Sequence, residues 1–359
     1  MQYKKFSTLL LQWHLNENKR QMPWKGERDP YKVWLSEIIL QQTRVEQGWS
    51  YYERFIQKYP TITSLAKAAD EKVFKLWEGL GYYTRCKNLL YTARWIEKNC
   101  RGRFPENYEE IIALKGVGSY TAAAIASFCF DLPHAVVDGN VFRVLSRVFG
   151  IDVAVDSTKG KKFFTEIAQK VLDKKTPGLF NQAIMDFGAT VCKPAIPACA
   201  HCPLRSVCIA FKTGQANELP VKEKTLQKKT RWFNYLVMMA NGKTFVRKRI
   251  SKDIWQNLYE FYLVETDTNP HWTKESVSDF MKEQINYHQF EIINIITAIP
   301  QQLTHRYVKG YFIFLCLKNI PATLRTENLW INAERMSDLP FPAFINQNLE
   351  KKKIKPVLF

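Results

Sequence analysis

Two carboxyl side chains, Glu37 and Asp138, are the first candidates for acid–base chemistry in this chain. Glu37 lies in residues 31–43, where apolar side chains fall on nearly all sides of a predicted helix, so we expect it to be buried. Burial raises the pKa of a carboxyl group, which then stays protonated near neutrality and can act as a general acid. The alternative is a structural glutamate paired with a core arginine. Polar residues 41–43 close the helix and favour the catalytic interpretation, because a core helix would not select them.

A helix–hairpin–helix is predicted at residues 111–125, which contain an apolar helix end, two glycines and an alanine-rich helix start. The glycines allow positive φ and the close approach of another backbone. We expect Ser119 or Thr121 to cap the second helix, whose free N–H groups would bind a phosphate. The alternative is a plain turn between two helices. The downstream Asp-Gly-Asn of residues 138–140, followed by a basic helix, favours the phosphate site.

Four of the eight cysteines are bunched with the spacing Cys-x6-Cys-x2-Cys-x5-Cys. Thiolates that converge from one short loop fit a soft tetrahedral metal centre, either zinc or a [4Fe-4S] cluster. Zinc ribbons usually pair two Cys-x-x-Cys motifs across a longer loop, whereas this run has one such pair and unequal arms. The candidate ligands are Cys192, Cys199, Cys202 and Cys208. The remaining cysteines, Cys86, Cys100, Cys129 and Cys316, stand among apolar residues and are predicted core positions.

The charge balance indicates a polyanionic partner. The 359-residue chain has 52 Lys and Arg against 34 Asp and Glu, a net charge of +18, yet it is 46% hydrophobic and 14% aromatic. This combination indicates a folded protein, with nucleic acid as the first candidate partner and an anionic membrane as the second. No apolar run reaches about 18 residues and no signal-peptide region follows Met1, so we expect a cytoplasmic protein without a membrane partner, nucleoid-associated if bacterial.

The elements that must position these residues change character along the chain. Residues 1–213 have helical periodicity and residues 214–229 are polar and basic like a linker. The pattern of residues 230–359 is strand-like, with one helix predicted near residues 274–283. A β-hairpin is predicted at residues 232–249, with its turn at Asn241-Gly242. We therefore predict an all-α domain followed by a smaller α+β domain.

A glycine-rich turn at residues 79–85 presents Tyr82 and Tyr83 beside an arginine. Proteins that bend duplex DNA often insert such side chains into the base stack. Ordinary packing between helices is an equally good explanation from these residues alone.

Residues 1–210 resemble the endonuclease III-like helix-hairpin-helix DNA glycosylases, through the hairpin with its downstream aspartate and the cysteine spacing. In that superfamily the cysteine loop, here residues 192–208, holds a [4Fe-4S] cluster. We expect the cluster to staple a loop that carries Lys193 and Arg205 to a phosphate, in preference to electron transfer. Three segments are similar to the MutY-type adenine DNA glycosylases: Ser36-Glu37-Ile-Ile-Leu-Gln-Gln42-Thr43-Arg44, Gly81-Tyr82-Tyr83 and Val137-Asp138-Gly139-Asn140-Val141.

The family resemblance implies a monomer that acts on double-stranded DNA containing adenine opposite 8-oxoguanine or guanine. Bifunctional members have a lysine nucleophile where this chain has Tyr120, so we expect base excision without strand cleavage through a Schiff base. The resemblance assigns DNA contacts to Gln42, Thr43, Arg44, Tyr82, Tyr83, Lys115, Gly116, Val117, Gly118 and Arg143.

Cleavage of the bond between adenine and its sugar needs a proton on the departing base and shelter for a cationic sugar, so one protonated and one ionised carboxyl are natural partners. Glu37 is the predicted general acid and would protonate an adenine ring nitrogen. Asp138 is expected to stabilise the oxocarbenium ion, and the family resemblance implies, as an alternative, that Asp138 forms a covalent adduct with the sugar. Asn140 and Tyr120 would orient water and Asp138.

Residues 230–359 resemble the Nudix-like module of the same family. The chain has no Gly-x5-Glu-x7-Arg-Glu-x2-Glu-Glu sequence, so we expect binding without Nudix hydrolysis. The family's Phe-Ser-His triplet, which senses 8-oxoguanine, is matched by Leu303-Thr304-His305. We assign the hydroxyl and imidazole roles to Thr304 and His305 and leave the Phe role unassigned. Lys25 departs from an arginine frequent in relatives.

Other functions remain open at this stage. A glycosylase for another mispair, such as thymine opposite guanine, is one, because a tyrosine at position 120 also occurs in such relatives. A non-catalytic iron–sulfur protein that binds DNA damage would explain the hairpin and cluster, but not the joint presence of Glu37 and Asp138. An electron-transfer protein would explain only the cysteines.

Overall fold

The structure, a computed structural model, describes residues 2–223, 228–325 and 329–351. Residues 224–227 of the predicted linker, and residues 326–328 and 352–359 of the predicted second domain, lie outside the described residues. The chain folds into two compact units. One consists of Met1–Ala68 and Lys87–Thr225, and the other of Ala69–Cys86 and Leu226–Phe359.

Helices make up the chain before its first strand. In order they are α1 (Gln2–Asn16), α2 (Pro30–Leu40), α3 (Val45–Lys58), α4 (Ile62–Ala66), α5 (Asp70–Trp77), α6 (Tyr83–Cys100), α7 (Tyr108–Ala113), α8 (Ser119–Phe130), α9 (Gly139–Phe149), α10 (Thr158–Val171), α11 (Pro177–Thr190) and α12 (Ile209–Lys212). All but α5 and the start of α6 lie in the first unit.

The helix that carries Glu37 begins as its sequence predicts. The Asp29 side chain accepts a hydrogen bond from the Tyr31 N–H at 2.9 Å, and Pro30 occupies the first helical position, where its missing N–H costs nothing. Eight of the eleven residues in α2 are buried, including Glu37. The expectation that this helix is covered on nearly all sides is confirmed.

One core cluster of the first unit lies among α1, α8, α9, α10 and α11. Trp13 in α1 meets Phe187 in α11 edge to face, with ring centroids 5.0 Å apart. Val141, Val144 and Val148 form the buried stripe of α9. This packing orients α9 so that its N-terminus, where Asp138 sits, is held against the body of the unit.

The second unit contains one mixed sheet with the strand order β3-β2-β1-β7-β5. Its strands are β1 (Lys229–Ala240), β2 (Lys243–Lys248), β3 (Tyr259–Glu260), β4 (Tyr262–Thr266), β5 (Phe290–Thr297), β6 (Gln301–Gln302), β7 (Arg306–Leu317) and β8 (Leu329–Asn332). β1 and β7 are parallel, and the other pairs are antiparallel. The predicted β1–β2 hairpin is confirmed, with Asn241 and Gly242 at positive φ in its turn.

Helices cover both faces of this sheet. They are α13 (Lys274–Glu283), α14 (Ala333–Met336) and α15 (Ala343–Lys351). Val277 and Met281 of α13 share a core with Leu236 and Ile313 on one face. On the other face, the Phe344 ring of α15 lies 6.3 Å from Tyr235 and 5.9 Å from Phe312. The predicted class, an all-α unit followed by a smaller α+β unit, is confirmed.

The cysteines outside the clustered loop differ in burial. Cys86 is buried as predicted and Cys100 and Cys129 are half-buried, but Cys316 is exposed near the end of β7. The prediction of a core position was therefore wrong for Cys316.

Among the described residues, no helix is both long and apolar enough to span a bilayer.

Candidate active site and DNA interface

The four predicted catalytic residues line one cavity of about 720 Å³ in the first unit. α2 contributes Glu37, α8 contributes Tyr120, and the start of α9 contributes Asp138 and Asn140. Two helix starts and one buried helix interior thus converge on a space large enough for a single nucleobase.

Glu37 is 6% exposed. Burial raises its pKa to about 7, since the charged form loses its hydration, and the nearby charge of Asp138 adds to this rise. A hydrogen bond with the Tyr120 hydroxyl acts in the opposite direction. The result is a carboxyl group that titrates near neutrality, as a general acid requires.

Asp138 is the N-cap of α9. Its Oδ1 accepts from the Val141 N–H at 2.8 Å, and its Oδ2 accepts from the Asn140 side-chain amide at 2.8 Å. Burial raises the pKa of Asp138 above its usual value, and these hydrogen bonds and the charge of Arg143 offset part of that rise. The two N–H donors thus stabilise the ionised form against the cost of burial, as the capping position also does.

Tyr120 stays protonated in this cavity. Burial raises its pKa well above the usual value, and the charges of Glu37 and Asp138 reinforce the effect. Its hydroxyl also lies 3.4 Å from the sulfur of Met185. A neutral phenol beside two carboxyl groups donates hydrogen bonds and supplies no nucleophile of the amine type.

Arg143 is buried, with 8% exposure, and its guanidinium joins the active site to the cysteine loop. One terminal nitrogen donates to Oδ1 of Asn140 and to the Gly188 carbonyl, both at 2.7 Å. Its Nε donates to the Cys192 carbonyl at 2.7 Å. The DNA contact predicted for Arg143 stays a prediction, but these donors are directed at internal acceptors.

The four clustered cysteines surround a second, small cavity in the first unit. Cys192, Cys199, Cys202 and Cys208 all line it, and all four are free thiols. Arg147 crosses this region and donates to the Lys193 carbonyl at 2.7 Å, with Sγ of Cys192 at 3.5 Å. Within the described residues, no group of three or more His, Cys, Asp or Glu side chains meets the geometry of a single-ion site.

The predicted hairpin lies between α7 and α8. Gly116 adopts φ +84°, and a Cβ added there would lie 2.7 Å from the Cβ of Asn88, so glycine is required by both conformation and space. Lys115, Gly116 and Gly118 are exposed, whereas Val117 is buried and anchors the turn. Gly118 is the N-cap of α8, without a side-chain cap.

The expectation that Ser119 or Thr121 caps α8 was therefore wrong. Both residues lie inside the helix, and the Thr121 hydroxyl instead accepts from the Gln41 amide at 3.3 Å. A glycine cap leaves the first N–H groups of the helix without a side-chain acceptor, which suits them to an external anion.

Gln42 and Arg44 are exposed at the end of α2, and Thr43 is half-buried and lines the cavity. Gln42 has φ +57°, so the chain turns sharply there. The two tyrosines of the second unit differ: Tyr82 is exposed with φ +49°, whereas Tyr83 is buried and stacks on Phe74 at 6.3 Å. Packing therefore accounts for Tyr83, and Tyr82 alone is presented to solvent.

Thr304 and His305 form the exposed tip of the turn between β6 and β7. The Thr304 hydroxyl is hydrogen-bonded to the Tyr82 hydroxyl within the second unit. Two residues assigned separately from sequence are thus neighbours on one surface.

A polar cluster centred on Asp186 of α11 was not predicted; its members Arg20, Lys25 and Gln182 line the catalytic cavity. Asp186 is fully buried and accepts from Arg20 at 2.8 Å and from Asn18 at 2.7 Å. Lys25 lies 3.5 Å from the same carboxylate, and Gln182 donates to it at 2.9 Å. An acidic residue inside an apolar helix was the available signal, the same one that identified Glu37.

Two family models match parts of this chain. Residues 35–174 match the HhH-GPD superfamily of base excision DNA repair proteins, and residues 234–351 match the NUDIX domain. Solved structures with a similar fold include a thermostable thymine-DNA glycosylase, with 29% identity and a TM-score of 0.55 over 59% of this chain and 97% of that one. A non-covalent endonuclease III–DNA complex, at 20% identity and a TM-score of 0.51, covers 60% of this chain and 98% of its own; this likeness concerns the fold alone.

Curated relatives extend the match across both units. The chain is 32% identical to the adenine DNA glycosylase of Buchnera aphidicola subsp. Baizongia pistaciae over 358 residues, which cover 97% of each chain. It is 44% identical to the adenine DNA glycosylase of Mus musculus over 223 residues, 60% of this chain and 43% of the mouse protein.

Proposed function

This chain belongs to the adenine DNA glycosylase family, and from that premise we propose that it hydrolyses the N-glycosidic bond of adenine opposite 8-oxoguanine or guanine in duplex DNA. The observation that carries the chemical part of the proposal is the shared cavity of Glu37 and Asp138. One carboxyl there titrates near neutrality, and the other is stabilised as an anion by N–H donors.

Glu37 is the proton donor in this mechanism. Adenine is a poor leaving group as an anion, so a proton must reach one of its ring nitrogens as the bond to the sugar breaks. A carboxyl with a pKa of about 7 is partly protonated at neutral pH and still transfers its proton readily.

Asp138 stabilises the positive charge that develops on the sugar. Its fixed position comes from the cap on α9 and from the Asn140 amide, so little reorganisation is needed when the charge forms. Attack by water at the anomeric carbon then completes hydrolysis, and the proton released by that water passes to the Glu37 carboxylate. Tyr120 and Asn140, which line the cavity, orient the water and Asp138.

The enzyme is proposed to be monofunctional. Tyr120 stands where bifunctional members of the superfamily have a lysine, and a phenol held protonated cannot form a Schiff base with the sugar. The product is therefore an abasic site in an intact strand.

Access to the cavity requires the adenine to leave the base stack, at an unstacking cost of a few kcal/mol. Exposed polar and backbone groups at the hairpin and at the end of α2 are proposed to hold the backbone of the flipped strand. They comprise Gln42, Arg44, Lys115, Gly116 and Gly118, together with the half-buried Thr43 that lines the cavity. Tyr82 is proposed to occupy the space between bases. Tyr83 and Val117 are buried and are proposed to position the exposed residues next to them in sequence, and Arg143 is buried against internal acceptors.

The Nudix-like unit is proposed to read the partner base. Adenine itself is undamaged, so selectivity must come from the base opposite. 8-Oxoguanine differs from guanine by an N7–H donor and an O8 acceptor, and a hydroxyl and an imidazole can distinguish them. Thr304 and His305 are the groups assigned to this task.

The four thiols of the cysteine loop fit a [4Fe-4S] cluster, since all four line one cavity from a loop of seventeen residues, 192–208. When bound, such a cluster would fix the loop that carries Lys193 and Arg205, whose side chains are exposed. No step of base excision requires it.

All of the proposed catalytic groups come from one chain, so we propose that the enzyme acts as a monomer.

One experiment tests the central proposal: single-turnover excision on duplexes that differ only in one base pair. We expect excision of adenine opposite 8-oxoguanine and opposite guanine, and none of adenine opposite thymine. Borohydride added during turnover should trap no stoichiometric protein–DNA adduct. Absence of adenine release from both mispairs would refute the function.

A thymine-DNA glycosylase activity is the second candidate, because a solved structure of that activity shares 29% identity with the first unit. A duplex with thymine opposite guanine in the same panel separates the two. Release of thymine in place of adenine would favour it.

A further inference from the structure

The turn that carries Thr304 and His305 is short and tightly closed. We name residues 303–306 the 303–306 turn. The Leu303 N–H donates to the Arg306 carbonyl at 2.8 Å, and the Lys229 N–H donates to the His305 carbonyl at 3.3 Å. These bonds hold the backbone at the base of the turn, and the Thr304 hydroxyl is bonded to the Tyr82 hydroxyl at its tip. A further side-chain contact restrains the turn where it meets β7.

Arg306 supplies this contact. It ends the 303–306 turn and begins β7, and its Nη1 lies 3.2 Å from Oδ1 of Asp253. Asp253 belongs to the loop between β2 and β3, which is closed on itself by backbone bonds between Arg249 and Leu258 and between Asn257 and Arg249. The turn is therefore tied to a second, independently closed loop.

Asp253 is a fixed anchor point. Its carboxylate is also bonded to Arg231 at 2.9 Å and to Arg249 at 3.3 Å. Burial opposes its ionisation, but the hydrogen bonds from Arg231 and the backbone prevail and bring the pKa of Asp253 to about 2. It stays charged at any pH at which the protein would be assayed.

The anchor is itself braced by two further ion pairs. Arg231 is bonded to Glu265, and Arg249 is bonded to the buried Glu260, both at 2.5 Å. Arg231 and Arg249 are each held by an acidic residue on a strand. The Asp253 carboxylate, which is bonded to both, is therefore fixed in place and cannot move with Arg306. The position of Asp253 therefore restrains the position of the 303–306 turn.

We infer that Asp253 and Arg306 are positioning residues for partner-base recognition, acting through the 303–306 turn. The inference rests on the proposed function, in which Thr304 and His305 read the base opposite adenine. A recognition group must be held to a fraction of an ångström to distinguish donors from acceptors. The ion pair supplies that restraint without touching DNA.

The test compares single-turnover excision of adenine opposite 8-oxoguanine with excision opposite guanine. Arg306→Met keeps the length of the side chain and removes its charge, and Asp253→Asn keeps the shape and removes the partner. Each is expected to lower the preference for 8-oxoguanine by about three- to ten-fold, the range for a partly exposed charged hydrogen bond. The double variant should lose no more than the larger single effect, because both changes break one contact. Arg306→Lys should recover part of the preference.

Arg247→Met is the matched control. Arg247 belongs to the same group of charges, is 37% exposed against 39% for Arg306, and makes an ion pair of 3.1 Å with Glu260 against 3.2 Å. It does not touch the turn, so its loss should leave the preference unchanged. Thermal unfolding of every variant ensures that all are compared in the folded state.

Three outcomes would overturn the inference. An unchanged preference in Arg306→Met removes the role of the ion pair. A loss in Arg306→Met with none in Asp253→Asn means that Arg306 contacts DNA directly, which a reduced salt dependence of binding would also reveal. An equal loss in Arg247→Met means that general stability is responsible. The proposed function is judged separately, by the parent enzyme and by Thr304→Ala combined with His305→Ala.

Discussion

The side-chain amide of Asn140 donates to Oδ2 of Asp138 at 2.8 Å. The carbonyl oxygen of the same amide accepts from the guanidinium of Arg143 at 2.7 Å. A guanidinium has only donors, so it fixes the orientation of the amide and keeps its NH₂ group towards the carboxylate. Arg143 thus orients the Asn140 amide so that its NH₂ group, and not its carbonyl oxygen, faces the Asp138 carboxylate.

This relationship predicts the effect of Asn140→Leu. Loss of the donor leaves the Asp138 carboxylate with one fewer N–H partner and free to change rotamer. We expect single-turnover excision to fall by roughly ten- to a hundred-fold, the value of a hydrogen bond to a charged group. Duplex affinity, measured by fluorescence anisotropy, should change little. Full activity in this variant would show that the cap on α9 alone is sufficient to hold Asp138.

Glu37→Gln tests the proton donor. The amide keeps the shape of the side chain but carries no acidic proton, so excision should fall by about 10² to 10⁴, with binding retained. In the parent enzyme the rate should decline as the pH rises through about 7, because ionised Glu37 has no proton to give. Near-normal excision by the variant, or a parent rate that is independent of pH between about 6 and about 9, would show that Glu37 is a structural residue and not the proton donor.

Glu37→Gln should also change the free energy of unfolding, which is measured without an activity assay. The pKa of Glu37 is about 7 in the folded protein against an ordinary value of 4.5, so folding favours the neutral form of this carboxyl. The folded state therefore loses stability relative to the unfolded state as the pH rises from about 4.5 to about 7. Above that range Glu37→Gln should raise the free energy of unfolding by roughly 2 to 4 kcal/mol relative to the parent. The gain should shrink towards zero in acid.

Urea denaturation at several pH values measures this difference. Glu46→Gln is the matched control, because Glu46 is an exposed glutamate in the neighbouring helix α3 and is solvated in both states. A pH-independent difference between the parent and Glu37→Gln would contradict the burial argument.

The combination of Thr304→Ala and His305→Ala tests partner-base reading. A good base contact contributes roughly 1 to 3 kcal/mol of discrimination. We therefore expect the preference for adenine opposite 8-oxoguanine over adenine opposite guanine to fall about ten- to a hundred-fold, with excision opposite guanine largely intact. A variant that discriminates as well as the parent would place the reader elsewhere in the second unit.

The cysteine loop predicts a metal content. Protein purified without oxidation should be brown and contain about four irons per chain, and Cys202→Ser should lower both iron content and the melting temperature. Cys316→Ser is the matched control, since Cys316 is exposed and lies outside the loop. Stoichiometric zinc without iron, from an iron-replete host, would refute the cluster.

Much of the candidate site was predictable from sequence, because it depends on short-range patterns. The apolar surroundings of Glu37 in α2 were visible within one helix, and its burial followed. The Asn241-Gly242 turn and the cap and proline at Asp29-Pro30 are local preferences of the backbone. The cysteine spacing likewise needs no knowledge of the rest of the chain.

Other features depended on partners from distant parts of the chain. Periodicity placed Arg143 in a basic helix but could not tell that its guanidinium points inward to the Cys192 carbonyl. Tyr82 and Tyr83 are adjacent in sequence, yet only packing against Phe74 decides which of them is buried. Asp186 escaped notice because its partners Arg20 and Asn18 are far away in sequence.

By itself, the sequence determined which groups are available for chemistry: an acid within an apolar helix, an aspartate at a helix start, a hairpin with two glycines and four clustered cysteines. Only the tertiary structure decided which charges are satisfied inside the protein and which face solvent. The physical reason is that a buried charge is tolerated only where an opposite charge or a hydrogen-bonding group meets it, and for Arg143 and Asp186 such groups come from other segments of the fold.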